Sequence, residues 1–92
     1  MIASFKHKGL EALYEHNRTR GISQTLVKRV KQVLALLDSA KHVEDMNLPG
    51  LRLHPLKGNL KGFYSVTVSG NWRIIFEFAE GQAHHVDLID YH

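Results

Sequence analysis

FYSVTVSGNWRIIFEFAEGQAHHVDLID, residues 63–90, holds three runs of alternating apolar and polar residues, split by two glycine-bearing turns. A period of two is the mark of a half-buried β-strand. Tyr64, Val66 and Val68 share one face of the first run. Trp72, Ile74, Phe76 and Phe78 share one face of the second, with Arg73, Ile75 and Glu77 on the other. Val86 and Leu88 point inward on the third. Ser69–Asn71 and the AEGQA segment at 79–83 are short enough for hairpins. The stretch therefore predicts a β-meander.

Working outward, LRLHPL at 51–56 alternates too, with Leu51 and Leu53 on one face and Arg52 and His54 on the other. Pro55 has no N–H for a ladder, so that strand ends there or lies at an edge. KGNLKG at 57–62 is a turn. NLPGL at 47–51 breaks a helical pattern, because Pro49 and Gly50 favour a loop. Before it, Leu26, Val30, Val33, Leu34 and Leu37 form one apolar stripe, and Ser23 is placed to cap that helix. Leu10, Leu13 and Tyr14 mark a shorter helix that Asn17 and Gly21 end. IASF at 2–5 reads as an edge strand. The pattern predicts one α+β domain over 1–92: a small N-terminal strand and two helices packed on one face of a mostly antiparallel sheet. The other face, carrying Arg73 and Glu77, is expected to be open.

The 92 residues are 43% hydrophobic and 23% charged, ordinary for a globular chain. The longest apolar run, 33–37, cannot span a bilayer, so no membrane partner is expected. No apolar signal core follows Lys6 and Lys8, and the lack of cysteine excludes disulfides and thiolate metal sites. Both fit a reducing cytoplasm. The net charge is +3 with seven histidines counted neutral. A basic, histidine-rich chain suits a nucleic-acid or phosphate partner.

Sheet pairing can bring the DYH motif at 90–92 near Arg73 and near the His54–Lys57 corner. His54, Lys57, Arg73, Asp90, Tyr91 and His92 would then make a set for RNA cleavage without metal or cofactor. A base removes the ribose 2′-OH proton, a cation stabilises the charge on phosphorus, and an acid protonates the leaving 5′-oxygen. Imidazoles suit both proton transfers. Guanidinium can grip phosphate bidentately. DNA lacks the 2′-OH, so only RNA would be cut. Each residue also has an ordinary role. Arg73 could pair with Glu77 or Asp87 across strands, and Tyr91 could cap the core edge. His7, His16 and His42 read as surface residues, and His84–His85, on opposite faces of a strand, make a poor chelate.

The segments MIASFKHKGLEALYE (1–15) and RLHPLKGNLKGFYSVTVSGNWRIIFEF (52–78), with the closing DYH, resemble the HigB toxins of bacterial toxin–antitoxin systems, in the RelE/ParE superfamily. The resemblance runs along the whole chain. It implies a ribosome-dependent mRNA endonuclease that cuts codons in the ribosomal A site and stops translation. It also implies a HigA-like antitoxin with a helix-turn-helix domain, the two together binding operator DNA. Carried over, His54, Lys57, Asp90, Tyr91 and His92 match active-site positions, and Asn71 and Arg73 match the N-x-R of the central hairpin. His92 is then the leading base, with Asp90 orienting it and Tyr91 stacking on a base or donating to a phosphate oxygen. The same superfamily includes ParE-type inhibitors of DNA gyrase, and a basic RNA-binding module without catalysis is a further alternative.

Overall fold

The computed structural model describes residues 1–91. Its elements are α1 (Lys8–His16), α2 (Val27–Ser39), β1 (His54–Pro55), β2 (Tyr64–Ser69), β3 (Trp72–Ala79) and β4 (Gln82–Asp90), with 3₁₀ turns at Val43–Met46 and Gly58–Leu60. The strands form one antiparallel sheet in the order β1-β2-β3-β4, which is the expected meander with a short edge strand added. Leu10 and Leu13 of α1 and Val30, Val33, Leu34 and Leu37 of α2 share one core with Val66, Val68, Ile74, Phe76, Ala83, Val86 and Leu88 of the sheet. Phe76 is fully buried and stacks on Tyr64, its register partner, with ring centroids 6.1 Å apart. Trp72, expected inward with Ile74, is exposed, because it begins β3 at the sheet's end, beyond the reach of the helices.

Local chemistry sets the helix ends. The Leu10 amide donates to His7 Nδ1 at 3.1 Å, so His7 caps α1 and is not merely a surface residue. His42 likewise caps the 43–46 turn, where the Asp45 carboxylate accepts from the Lys41 and His42 amides at 2.9 and 3.1 Å. Asn17 adopts the left-handed conformation that ends α1, and the Asn17 and Arg18 amides reach back to Leu13 and Ala12. Ser23 does not cap α2. Its carbonyl accepts from the Leu26 amide and its hydroxyl meets Thr25, so a turn intervenes and the helix starts at Val27.

The entry to α1 presses against the link between the helices. A Cβ on Gly9 would lie 2.6 Å from the Gly21 carbonyl oxygen, and one on Gly21 would lie 2.8 Å from the Gly9 Cα. Both obstacles are backbone and cannot swing away. Gly9→Ala and Gly21→Ala should each destabilise the protein by roughly 1–3 kcal/mol, the usual cost of overpacking. Denaturant unfolding measures this, and an unchanged midpoint for both variants would contradict the contact.

Asp38 of α2 ties three segments together. It accepts the Tyr14 hydroxyl at 2.5 Å and the Ile2 amide at 3.2 Å. The hydrogen bond to Asp38, then burial, then the charge of Asp38, push the Tyr14 phenol from 10.0 up to about 12. A raised folded pKa means the contribution is full below about pH 10 and is lost as pH rises toward 12. Wild-type melting temperature should therefore fall across that window, and Tyr14→Phe should flatten the fall. Parallel curves for the two proteins would refute the linkage.

Besides a register shift between Thr67 and Ser69 in the β2–β3 ladder, two irregularities alter the expected strands. Ile2 and Phe5 make isolated parallel bridges to Ala83 and Val86 of β4, so IASF runs along the sheet edge without forming a continuous strand. The break falls at His85, a non-glycine residue with φ 54, whose amide donates to Ser4 Oγ at 2.9 Å. Here β4 carries one residue more than β3: Ile75 pairs with Asp87 but Glu77 with His84. Such a bulge shifts the alternation by one, so Ala83 and Val86 are both buried. The second irregularity concerns LRLHPL, of which only His54 and Pro55 form a strand. The Thr67 amide donates to the Leu51 carbonyl at 2.7 Å, one residue out of step with the His54–Ser65 pairing, and Arg52 takes φ 52. Nor is the sheet face away from the helices fully open. Ile75, Leu56 and Ser65 are buried outside the main core.

Candidate active site

A cleft of about 360 Å³ opens on that second face, lined by Arg52, Leu53, His54, Ser65, Thr67, Arg73 and Tyr91. Register explains its composition. Ser65 pairs with His54 and Thr67 with Arg73. Residues 65 and 67 lie two apart and so on one face. Tyr91 follows β4 and is anchored when its amide donates to the Asn71 carbonyl at 2.8 Å.

Arg73 Nη1 donates to the Gly70 carbonyl at 2.5 Å and the Trp72 carbonyl at 3.1 Å. The guanidinium is thus aimed by its own hairpin. Glu77, considered as its ion-pair partner, instead meets His85, with Oε1 2.6 Å from Nδ1. The named lining holds two guanidiniums, an imidazole, a phenol and two hydroxyls, and no carboxylate. Such a surface selects an anion with several oxygens.

Of the residues singled out in the sequence, His54, Arg73 and Tyr91 come together here. Lys57 is exposed at the start of the 58–60 turn, outside the lining. Asn71 contributes a backbone carbonyl from the hairpin. Asp90 pairs in register with Trp72 at the end of β4. His92 lies outside the described residues. Arg52, Ser65 and Thr67 were not among the candidates. The alternation of LRLHPL had already placed Arg52 beside His54, and that was the available signal. Arg52 is held in the left-handed region, which costs a non-glycine residue roughly 1–2 kcal/mol. Among the described residues, no three His, Asp or Glu side chains group as metal ligands.

Solved structures bear on the fold first. The fold matches a YoeB–YefM complex from Staphylococcus aureus (TM-score 0.57, 15% identity, covering 100% of this chain and 98% of that one). It also matches a YafQ variant from E. coli (TM-score 0.56, 16% identity, covering 96% and 91%). At that identity the likeness concerns the fold alone. The sequence supplies the rest: residues 3–92 match the family described as RelE-like toxin of type II toxin–antitoxin system HigB, and the chain belongs to that HigB-like family. It is 44% identical to "Endoribonuclease HigB" of Proteus vulgaris over 92 residues, the full length of both. It is 38% identical to "Toxin HigB-1" of Vibrio cholerae serotype O1 over 85 residues, 90% of each.

Proposed function

We propose that this chain is an endoribonuclease toxin that cuts mRNA. The observation that carries the proposal is the convergence of Arg52, His54, Arg73 and Tyr91 on one cleft. The full-length similarity to a protein named as an endoribonuclease supports it. In the proposed chemistry His92 takes the 2′-OH proton and the freed O2′ attacks phosphorus. The P–O5′ bond breaks, and His54 returns a proton to O5′. Arg73 neutralises the charge that builds on the phosphoryl oxygens, and Tyr91 donates to one of them or stacks on a base. Asp90 orients His92, while Lys57 and Asn71 hold flanking backbone. No cofactor or metal takes part.

The cleft is at the small end of ligand sites and open. It offers little surface to capture a free strand. A message held by the ribosome, with a codon displayed in the A site, would supply the positioning that the toxin lacks. The partner we propose is a HigA-like helix-turn-helix antitoxin meeting the helix side, where Lys28 and Lys31 are exposed. Operator DNA would then be bound only by the pair.

The deciding experiment adds the purified protein to ribosomes programmed with a defined message, with naked RNA as control, and maps the ends. Cuts within one codon, leaving a 2′,3′-cyclic phosphate and a 5′-hydroxyl, are expected. A two-metal nuclease usually leaves 5′-phosphate ends, and finding those would end the acid–base mechanism. No cleavage in either sample would end the endoribonuclease assignment.

A further inference from the structure

We infer that Arg52 is a substrate-binding residue that grips the phosphate next to the scissile one, rather than an ordinary surface arginine. This rests on the endoribonuclease proposal and extends it.

Three observations converge on Arg52. It lines the same cleft as Arg73, so two guanidiniums face one small space whose named lining holds no carboxylate. Like charges placed together suit an anionic ligand, and the chemistry proposed above uses one of the two cations at the reacting phosphorus. Arg73 is aimed by its bonds to Gly70 and Trp72, on the hairpin side. Arg52 precedes β1, and β2 lies between β1 and the strand β3 that carries Arg73. A polynucleotide crossing the cleft presents successive phosphates, and two cations on separate segments suit two of them.

The backbone gives the third observation. Arg52 stands at φ 52, where glycine is favoured. Its neighbour Leu51 is buried, and the Leu51 carbonyl is held by the Thr67 amide. The one-residue slip between that bond and the His54–Ser65 pairing fixes where the Arg52 side chain starts. Strain of this kind marks places where the surroundings hold a residue against its local preference.

The test compares wild type with Arg52→Ala, Arg52→Gly and Arg52→Lys in single-turnover cleavage of a ribosome-bound message, over a range of toxin concentrations and salt. Arg52→Ala and Arg52→Gly should raise the half-saturating concentration about tenfold or more, the scale of a charge-assisted bond. Their maximal rates should stay within about threefold of wild type, since binding is what is lost. The slope of log affinity against log salt should shrink by about 0.7, one phosphate contact on a single strand. Arg52→Lys should keep that slope and lie between. Arg52→Gly should melt above Arg52→Ala, because glycine accepts the left-handed backbone.

Unchanged concentration dependence and salt slope in an active enzyme would overturn the inference alone. So would activity lost in Arg52→Ala but restored in Arg52→Gly, which would make the role one of backbone shape. A fall confined to the maximal rate would overturn it by placing Arg52 at the reacting phosphorus. Failure of the wild-type protein to cut would instead overturn the endoribonuclease proposal, and this inference with it.

Discussion

Arg73→Ala should reduce the maximal rate of mRNA cleavage by roughly 10²–10³-fold, as expected for removal of a preorganised charge at a developing oxyanion, while the sheet stays folded. The fold should survive because Arg73 spends its observed bonds on the carbonyls of its own hairpin, and Ile74 and Phe76 on the same strand carry the packing. Deleting His92 should do as much or more if it is the base, since a general base typically contributes ~10²–10⁴-fold. Lys57→Ala should do less than either, because Lys57 stands outside the cleft. Growth inhibition on expression and codon cleavage on programmed ribosomes are the readouts, with circular dichroism confirming the fold. A folded Arg73→Ala protein that cuts at the wild-type rate would remove Arg73 from the chemistry.

Leu37→Asp should abolish activity by another route. Leu37 is fully buried on α2 within the helix–sheet core. An unpaired carboxylate there costs several kcal/mol, against a total stability of about 5–15 kcal/mol for a domain. The protein should be unfolded or molten at ambient temperature, without a cooperative melting transition. The chemical variants should melt cooperatively near the wild-type temperature. A Leu37→Asp protein with an undiminished transition would mean that the core is not where the helices meet the sheet.

Much of the fold was legible because periodicity records burial. The helix stripe from Leu26 to Leu37 and the alternation from Tyr64 to Phe78 name nearly all the core residues that those segments supply. Deviations arise where a single bond competes with pattern. Ser23 has the chemistry of a cap but is used in a turn with Leu26 and Thr25. His7 looks like a stray surface imidazole, yet it caps α1. Ile75 sits on the face expected to be open and is buried, which no local period encodes. At the site, His54 and Arg73 were readable from strand pairing and residue chemistry. Arg52 was harder, because it contributes through a left-handed backbone and a slipped hydrogen bond, both settled by tertiary contact. Lys57, close in sequence to His54, stands outside the cleft lining, where the chain leaves β1 for the 58–60 turn.

The extra residue at His85 works as a phase shifter for the end of β4. Ala83 faces the helices, and uninterrupted alternation from it would send every odd-numbered residue the same way, Tyr91 included. With the extra residue, even positions such as Val86 and Leu88 turn toward the helices, and the phenol of Tyr91 arrives in the cleft. The parity of residue count between Val86 and Tyr91 is thus a functional quantity. Removing His85 alone would leave Ala83, Val86, Leu88 and Tyr91 facing as they do now, whereas removing one residue between Val86 and Tyr91 would deliver the phenol to the wrong side of the sheet even though every side chain of the cleft was still encoded. Length changes beyond Val86 should be tolerated only in steps of two, so an insertion or deletion scan would locate the site's tolerance more sharply than substitutions can.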